Sequence, residues 1–309
     1  MDRRSALLTL MGVGAVSLFR RSVKGDTPGD QHDFVIHSDV RLVLLDVSVK
    51  NRDGGWVGGL SKDNFRVDEN GTPQNVTVFA KNDIPVTVGI LVDNSRSMTP
   101  KVGEVLSAAT TFIEESNSHD EIFVLNFNDT VKRGLPKDIL FSDDIKQLRA
   151  ALFRGMPEGR TALNDAVVDG LDQLKLGKRD KKTLIVISDG GDNASRHKRP
   201  QMLEMVESSL ATVYTIGLFE TGGLDRDPGI LKRLAKLTGG LAYFPDNPSD
   251  MTDACEDIAR DIRTRYTLGY PPPSSGGPIR HVRVHVSAPD HGTLIARTRQ
   301  SYRYVENQN

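Results

Sequence analysis

Five polar residues in three separate segments have the types and spacing needed to hold a hard metal ion: Asp93, Ser95, Ser97, Thr161 and Asp189. The first three form a D-x-S-x-S pattern, in which one carboxylate and two hydroxyls recur at every second residue. Such oxygen ligands suit Mg²⁺, Ca²⁺ or Mn²⁺ rather than zinc or copper. The pattern alone is short enough to arise by chance in roughly one chain in ten of this length, so its interpretation depends on the other two segments.

The other two segments place a hydroxyl and an acid where they could join the first. One apolar run ends at Val92, just before Asp93, and another ends at Ser188, just before Asp189. Thr161 begins a helical segment. Because α/β sheets bind ligands at the carboxyl ends of their strands, we expect the three segments to converge there. The alternative is that Asp93 and Thr161 merely cap helices.

The elements that must position these residues follow from the hydrophobic pattern between 84 and 264. Near-continuous apolar runs, typical of strands covered on both faces, predict strands over 86–92, 121–127, 182–188, 211–218 and 241–244. Apolar residues at helical spacing predict helices over 99–117, 142–154, 161–176, 200–210, 227–237 and 249–264. Strands that alternate with helices indicate a doubly wound, mostly parallel α/β sheet.

Both flanks of this α/β region have the alternating pattern of half-buried strands. Valine or leucine occupies every second position over 43–49, and valine does so over 282–286. Each flank alone would leave an apolar face exposed. We therefore expect 34–82 and 265–305 to pair into one small β-sandwich, into which the α/β domain is inserted, with Trp56 as an anchor of the sandwich.

Several other residues have plainer interpretations. Cys255, in the last predicted helix, is expected to be a small buried residue. Asp165 and Asp192 lie near the candidate ligands in sequence but occupy no ligand position, and we expect Asp165 beside the site or on the surface. His281 and His285 fall on one face of a strand about 13 Å apart, too far to share one metal ion, so that face is expected to be solvated.

Composition and charge exclude several classes of function. The chain has 309 residues, 40 of them Lys or Arg and 41 Asp or Glu, and the resulting net charge of −1 argues against a nucleic-acid binder held by a basic field. The single cysteine cannot form an internal disulfide or a cysteine-based zinc site. No glycine-rich phosphate loop follows a strand, and Ser95 has no recognisable histidine partner for nucleophilic catalysis.

The segment 1–25 has the character of an export signal or an N-terminal anchor. Arg3 and Arg4 precede a mostly apolar run over 5–19, which is shorter than the roughly 20 residues of a comfortable membrane span. The two arginines resemble a twin-arginine signal, although the expected phenylalanine is absent. We therefore expect a periplasmic, secreted or membrane-anchored protein, with a buried or disordered N-terminal helix as the alternative.

The D-x-S-x-S loop, the later threonine and the later aspartate resemble the metal-ion-dependent adhesion site of a von Willebrand factor type A domain, the fold shared with integrin inserted domains. The resemblance covers about 84–264. The stretches 59–65 (GLSKDNF) and 266–270 (YTLGY) are similar to those of a bacterial family of exported proteins related to this domain. The site resemblance implies that Ser95 and Ser97 bind the ion directly, whereas the remaining three residues bind it directly or through water.

The resemblance also implies a function. Two carboxylates balance a divalent ion, and the neutral hydroxyls leave it electrophilic toward an acidic side chain from outside. We therefore expect a protein-binding module, with no catalytic residue, that captures Asp or Glu of a protein partner through Mg²⁺, or through Mn²⁺ or Ca²⁺. Two alternatives remain open at this point: a metal-assisted hydrolase, and a metal-free scaffold of the cell envelope.

Overall fold

The computed structural model describes residues 42–81, 83–152, 157–219 and 226–304. The predicted signal or anchor over 1–25, and the start of the predicted β segment over 34–82, lie outside these ranges. The strands, numbered in chain order, are β1 (Val43–Asn51), β2 (Phe65–Glu69), β3 (Thr72–Gln74), β4 (Val78–Ala80), β5 (Val86–Asp93), β6 (Glu121–Phe127), β7 (Val131–Arg133), β8 (Lys181–Ser188), β9 (Thr212–Gly217), β10 (Ala242–Tyr243), β11 (Tyr266–Tyr270), β12 (Ile279–Val286), β13 (Leu294–Arg297) and β14 (Ser301–Arg303).

The helices are α1 (Val102–Glu114), α2 (Ile145–Leu152), α3 (Leu163–Lys175), α4 (Arg199–Ser208), α5 (Pro228–Thr238) and α6 (Pro248–Thr264). The helix predicted over 99–117 starts later than expected, because the stretch Arg96–Lys101, which contains Pro100, forms a short 3₁₀ helix instead. Among the described residues, no helix is both long and apolar enough to cross a membrane.

The central sheet has six strands in the order β10-β9-β8-β5-β6-β7. The first five are parallel to their neighbours, and β7 runs antiparallel to β6 at the edge. All eight residues of β5 are buried, as expected of a strand covered on both faces. The predicted doubly wound, mostly parallel sheet is therefore confirmed.

Helices cover both faces of this sheet. Leu91 of β5 faces α3, where its side chain lies against Gly170. The next residue, Val92, lies beside Val105 of α1 on the opposite face. On the face that α1 covers, α1 packs against α6. On the face that α3 covers, α3 packs against α4, and α4 packs against α5. The sheet is thus the middle layer of three.

Two further sheets combine strands from both ends of the described chain, in the orders β13-β1-β11-β4 and β14-β12-β2-β3. Leu45 of β1 lies opposite Leu268 of β11, and Val67 of β2 lies opposite Val284 of β12. The buried apolar residues of both sheets form one cluster. We refer to the two sheets together as the β layers.

Three interpretations of single residues can be checked here. Cys255 is buried, as expected, and His281 and His285 are exposed, as expected of a solvated face. Trp56 is placed differently: it is only half-buried, and its indole N–H donates to Asp257 Oδ1 of α6 at 2.9 Å. It therefore joins the β layers to α6, because its N–H needs an acceptor that an apolar core does not supply.

Candidate functional site

The site begins where two neighbouring parallel strands end. β5 pairs with β8, with Val92 opposite Ile187. Asp93 is the last residue of β5, and Ser188 is the last residue of β8. The pairing register therefore delivers Asp93 and Asp189 to the same edge of the sheet.

Four of the five sequence-predicted residues lie in one chain of hydrogen bonds. Oδ1 of Asp93 accepts the backbone N–H of Ser95 at 2.9 Å. The hydroxyls of Ser95 and Ser97 are 3.1 Å apart, and the Ser97 hydroxyl donates to Oδ2 of Asp189 at 2.8 Å. The structure thus brings Asp93, Ser95, Ser97 and Asp189 together, with the two serines between the two acids.

Thr161 lies in the adjoining loop and is also buried. Its backbone N–H donates to Oδ1 of Asn193 at 2.9 Å, and its carbonyl accepts the backbone N–H groups of Asn193 and Ala194. The loop just before it makes two backbone hydrogen bonds to the segment 94–96. Backbone contacts therefore hold Thr161 between the loop that follows β5 and the loop that follows β8.

The two acids are placed differently with respect to solvent. Asp93 is 2% exposed and Asp189 is 8% exposed. Burial raises the pKa of Asp93 to about 6; hydrogen bonds from Ser188 and Ser95 oppose this rise, and the nearby charge of Asp189 adds to it. A buried carboxylate beside a second one is electrostatically costly, and a divalent cation would remove that cost.

The donor set fits a hard divalent cation. Carboxylate and hydroxyl oxygens of Asp93, Ser95, Ser97 and Asp189 lie within one hydrogen-bonded group, and they are the ligand types of Mg²⁺ and Ca²⁺ sites. Within the described ranges, no three His, Cys, Asp or Glu side chains are grouped so that they could hold a metal. Any metal here would therefore rely on the serine hydroxyls as well as on the two acids.

Ser188 is a site residue that the sequence reasoning missed. Its hydroxyl donates to Oδ2 of Asp93 at 2.6 Å and accepts the backbone N–H of Gly190 at 3.1 Å. With the Ser95 amide on Oδ1, both carboxylate oxygens of Asp93 are hydrogen-bonded. In the sequence, Ser188 directly precedes Asp189 at the end of an apolar run, and nothing local indicates that its hydroxyl contacts Asp93.

Asp192 and Asp165 shape the loop that follows β8. Asp192 accepts hydrogen bonds from the side chains of Asn164 (2.6 Å) and Ser195 (2.5 Å). Asp165 accepts the backbone N–H of His197 at 2.9 Å, and its Oδ1 lies 2.7 Å from Nδ1 of the same histidine. Both acids therefore attach this loop to the start of α3, where Asp165 is half-buried.

Gly190 allows α5 to approach the site closely. Its φ is +84°, in the left-handed region that favours glycine, and a Cβ there would collide with the carbonyl of Asp227. The backbone N–H of Asp227 donates to the carbonyl of Asp189 at 3.1 Å. Asp227 also caps α5, because its side chain accepts the N–H of Ile230. The beginning of α5 is thereby fixed to one of the two acids.

Comparison with known proteins shows what the region that contains this site is similar to. Residues 88–191 match the family model of the von Willebrand factor type A domain. An uncharacterized protein from Synechocystis sp. is 25% identical over 186 residues, which are 57% of this chain and 42% of that protein. The chain thus spans less than half the length of this curated relative.

Two solved structures are similar in fold. A von Willebrand factor type A protein from Catenulispora acidiphila is 14% identical with a TM-score of 0.49, over 89% of this chain and 77% of that one. Proximal thread matrix protein 1 from the mussel byssus, solved with a zinc-occupied adhesion-site motif, is 15% identical with a TM-score of 0.49, over 68% and 50%. The family match extends from β5 to the loop that follows β8, and the matched region includes all five candidate ligands.

Proposed function

We propose that this chain is a metal-dependent protein-binding module that captures an acidic group of a protein partner through a divalent cation. The observation that carries the proposal is the hydrogen-bonded group of Asp93, Ser95, Ser97 and Asp189 at the carboxyl ends of β5 and β8. These residues, with Thr161, would hold the cation. When bound, the cation would supply a Lewis-acidic position for a carboxylate oxygen of the partner.

Mg²⁺ is the proposed cation, because every donor in the group is an oxygen and Mg²⁺ keeps outer positions open for water or for a ligand. Mn²⁺ and Ca²⁺ suit the same donors. The zinc found in the mussel byssus protein makes Zn²⁺ a necessary comparison in any titration.

A binding role is favoured over hydrolysis by the chemistry around the two acids. The hydrogen bonds of Asp93 and Asp189 come from serine hydroxyls and backbone amides. A hydrolase would need a base able to take a proton from water. Both carboxylates instead accept hydrogen bonds from these donors, and among the described residues no histidine is hydrogen-bonded to either of them.

Isothermal titration calorimetry with metal-stripped protein tests the metal step. We expect saturable binding of Mg²⁺ or Mn²⁺, loss of that binding in Asp189→Asn, and no loss in Asp253→Asn, which changes an exposed acid of α6. Absence of binding by a folded sample to all four metals would overturn the proposal and favour a metal-free scaffold.

Capture of protein from an envelope extract tests the partner step. We expect capture with Mg²⁺ that is lost with chelator and lost again in Asp93→Asn. Capture that survives both changes would contradict the proposal. Chelator-sensitive turnover of ester or phosphate substrates would instead favour a hydrolase.

We also propose how the chain is divided into domains and how it is exported. Segments 34–82 and 265–305 would form one β-sandwich interrupted by the domain over 84–264, which is supported by the mixed strand orders of the β layers. Export, by the twin-arginine route or as a membrane-anchored protein, rests on the sequence of 1–25. Fractionation of cells that express the full chain, with and without Arg3→Lys and Arg4→Lys, tests the export route.

A further inference from the structure

A cleft of about 830 Å³ lies beside β12 and the segment that connects β13 to β14. Its lining includes Asn70, His281, Arg283, Arg297, Thr298 and Gln300. A smaller cleft of about 280 Å³ shares Arg297, Thr298 and Gln300 with the first, and it reaches Lys232 and Lys236 of α5. Because they share one wall, we treat the two as one feature and call it the basic cleft.

Cationic side chains dominate the basic cleft. It is lined by Arg283, Arg297, Arg299, Lys232 and Lys236, against a single carboxylate, Asp68. That carboxylate already has a cationic partner, since its Oδ2 lies 3.2 Å from Arg66, and it also lies 3.1 Å from Nε2 of His285. In a chain of net charge −1, this is a local concentration of positive charge.

Four of these five cations lack an acidic partner in the part of the chain that the structure describes, whereas the fifth, Arg299, is buried and interacts with the charge of Asp46. The ion pairs found there involve none of the five. Arg299 donates to the carbonyl of Ser209 at 2.6 Å, which orients it without neutralising it. The positive charges of Arg283, Arg297, Lys232 and Lys236 are therefore available to a ligand.

Three polar atoms of the lining are buried without a hydrogen-bond partner among the described residues: Nη1 of Arg297, Oγ1 of Thr298 and Oδ1 of Asp68. A buried polar atom without a partner carries a free-energy cost that a ligand can remove. The first atom is a donor, the second can donate or accept, and the third accepts. The lining therefore has both an unused hydrogen-bond donor and an unused acceptor.

We propose that the basic cleft binds an extended acidic peptide segment. Guanidinium groups pair with carboxylates through two parallel hydrogen bonds, which suits Asp or Glu side chains. The neutral groups of Asn70, Thr298 and Gln300, with Asp68 Oδ1, match the N–H and C=O groups of a peptide backbone. Among the described residues that line the cleft, none is aromatic, so the stacking platforms that bind single-stranded nucleic acid are missing.

This site is separate from the candidate metal site. The N-cap of α5, Asp227, contacts Asp189, whereas Lys236 and Gly239 are at the opposite end of the helix. A helix of 11 residues spans about 16 Å. The proposal therefore does not depend on metal binding, and the two can be tested apart.

Fluorescence polarisation with labelled hexaglutamate, in chelator, tests the proposal on the full chain. We expect saturable binding that weakens at higher salt. The triple variant Arg283→Gln, Arg297→Gln and Lys236→Gln should bind roughly tenfold more weakly, since each contact contributes modestly. The matched triple Arg52→Gln, Lys132→Gln and Arg133→Gln removes the same charge from exposed positions away from the cleft and should bind as the wild type does.

Each other outcome has a defined meaning. Equal loss in the two triple variants would reduce the effect to net charge and overturn the proposal, as would the absence of saturable binding. Binding of a sulfated oligosaccharide but not of hexaglutamate would overturn the assignment to a peptide. Asp93→Asn should leave hexaglutamate binding in chelator unchanged, so failure of the metal proposal and failure of this one are distinguishable.

Discussion

The hydroxyl of Ser188 donates a 2.6 Å hydrogen bond to Oδ2 of Asp93, across the ends of two adjacent parallel strands. Both groups are almost fully buried. This bond fixes the orientation of the Asp93 carboxylate, so that Oδ1 faces the amide of Ser95. The candidate metal site therefore depends on a residue outside the five that the sequence pattern identifies.

Replacing Ser188 with alanine tests that dependence. Ser188→Ala leaves a buried carboxylate oxygen without its donor, and we expect the free energy of unfolding to fall by about 1–3 kcal/mol. Ser48→Ala is the matched control, because Ser48 is equally buried but its hydroxyl has no partner among the described residues. Urea denaturation should show little change in Ser48→Ala, and equal losses in the two variants would contradict the prediction.

The stability of the metal-free protein should depend on pH through Asp93. Burial raises the pKa of this carboxyl from 3.8 to about 6 in the folded state. Between these values the unfolded chain binds fewer protons than the folded chain, so the free energy of unfolding falls as pH rises, by about 3 kcal/mol in all. Urea denaturation from pH 3.5 to 7 should show this fall in the wild type relative to Asp93→Asn.

The pH dependence of the stability gained on binding Mg²⁺ tests the same carboxylate. A cation competes with the proton for Asp93, so Mg²⁺ should stabilise the wild type more at pH 7 than at pH 4. Parallel pH profiles for the wild type and Asp93→Asn, with and without Mg²⁺, would contradict both expectations.

Asp257 should control how α6 is attached to the β layers. Its carboxylate accepts hydrogen bonds from Trp56 (2.9 Å), Lys50 (3.0 Å) and Tyr243 (2.7 Å). Asp257→Ala removes the acceptor of all three, and we expect a loss of about 2–4 kcal/mol. Asp253→Ala, at an exposed position of the same helix, should change little.

Fluorescence gives a direct readout of this attachment, because Trp56 is the single tryptophan of the chain. Loss of the indole hydrogen bond in Asp257→Ala should shift its emission, whereas Asp253→Ala should not. An unchanged spectrum in Asp257→Ala would show that the indole does not depend on this contact.

Gly89 should be intolerant of a side chain. A Cβ at this position of β5 would lie 2.7 Å from Leu184 Cδ2 and would overlap the ring of Phe123. We expect Gly89→Ala to lower the free energy of unfolding by about 1–3 kcal/mol. Gly103→Ala in α1 meets nothing within 4 Å and should raise it by about 0.5–1 kcal/mol. Thermal denaturation of the two variants should therefore give shifts of opposite sign.

Secondary structure could be predicted best from the sequence where consecutive residues of an element are all buried. β5 was predictable because its residues from Val86 to Val92 are apolar or small and all are buried. β7 was missed, because a three-residue edge strand with two exposed residues has no distinctive periodicity. The role of Trp56 was also missed, because its partner is 201 residues away in the chain and nothing local indicates which acid it contacts.

For the candidate site, the rule that ligands bind at strand ends was enough to expect Asp93 and Asp189 near each other. The hydrogen bonds that orient them could not be predicted. Ser188 reads as the final residue of a strand, and only the register between β5 and β8 shows that its hydroxyl points at Asp93.

The pairing of β4 with β11 has a mechanical consequence. Ala80, the last residue of β4, lies opposite Thr267, near the start of β11, so the chain leaves the β layers and returns to them on neighbouring strands. A pulling force applied to the α/β domain, for example through a ligand of the proposed metal site, would act on β4 and β11 in the same direction. That tension would not slide the two strands past each other. If the chain were held at the start of β1, the tension would fall on the β1–β11 ladder, with its five residue pairs, and on the hydrogen bonds that Asp257 accepts from Lys50 and Trp56.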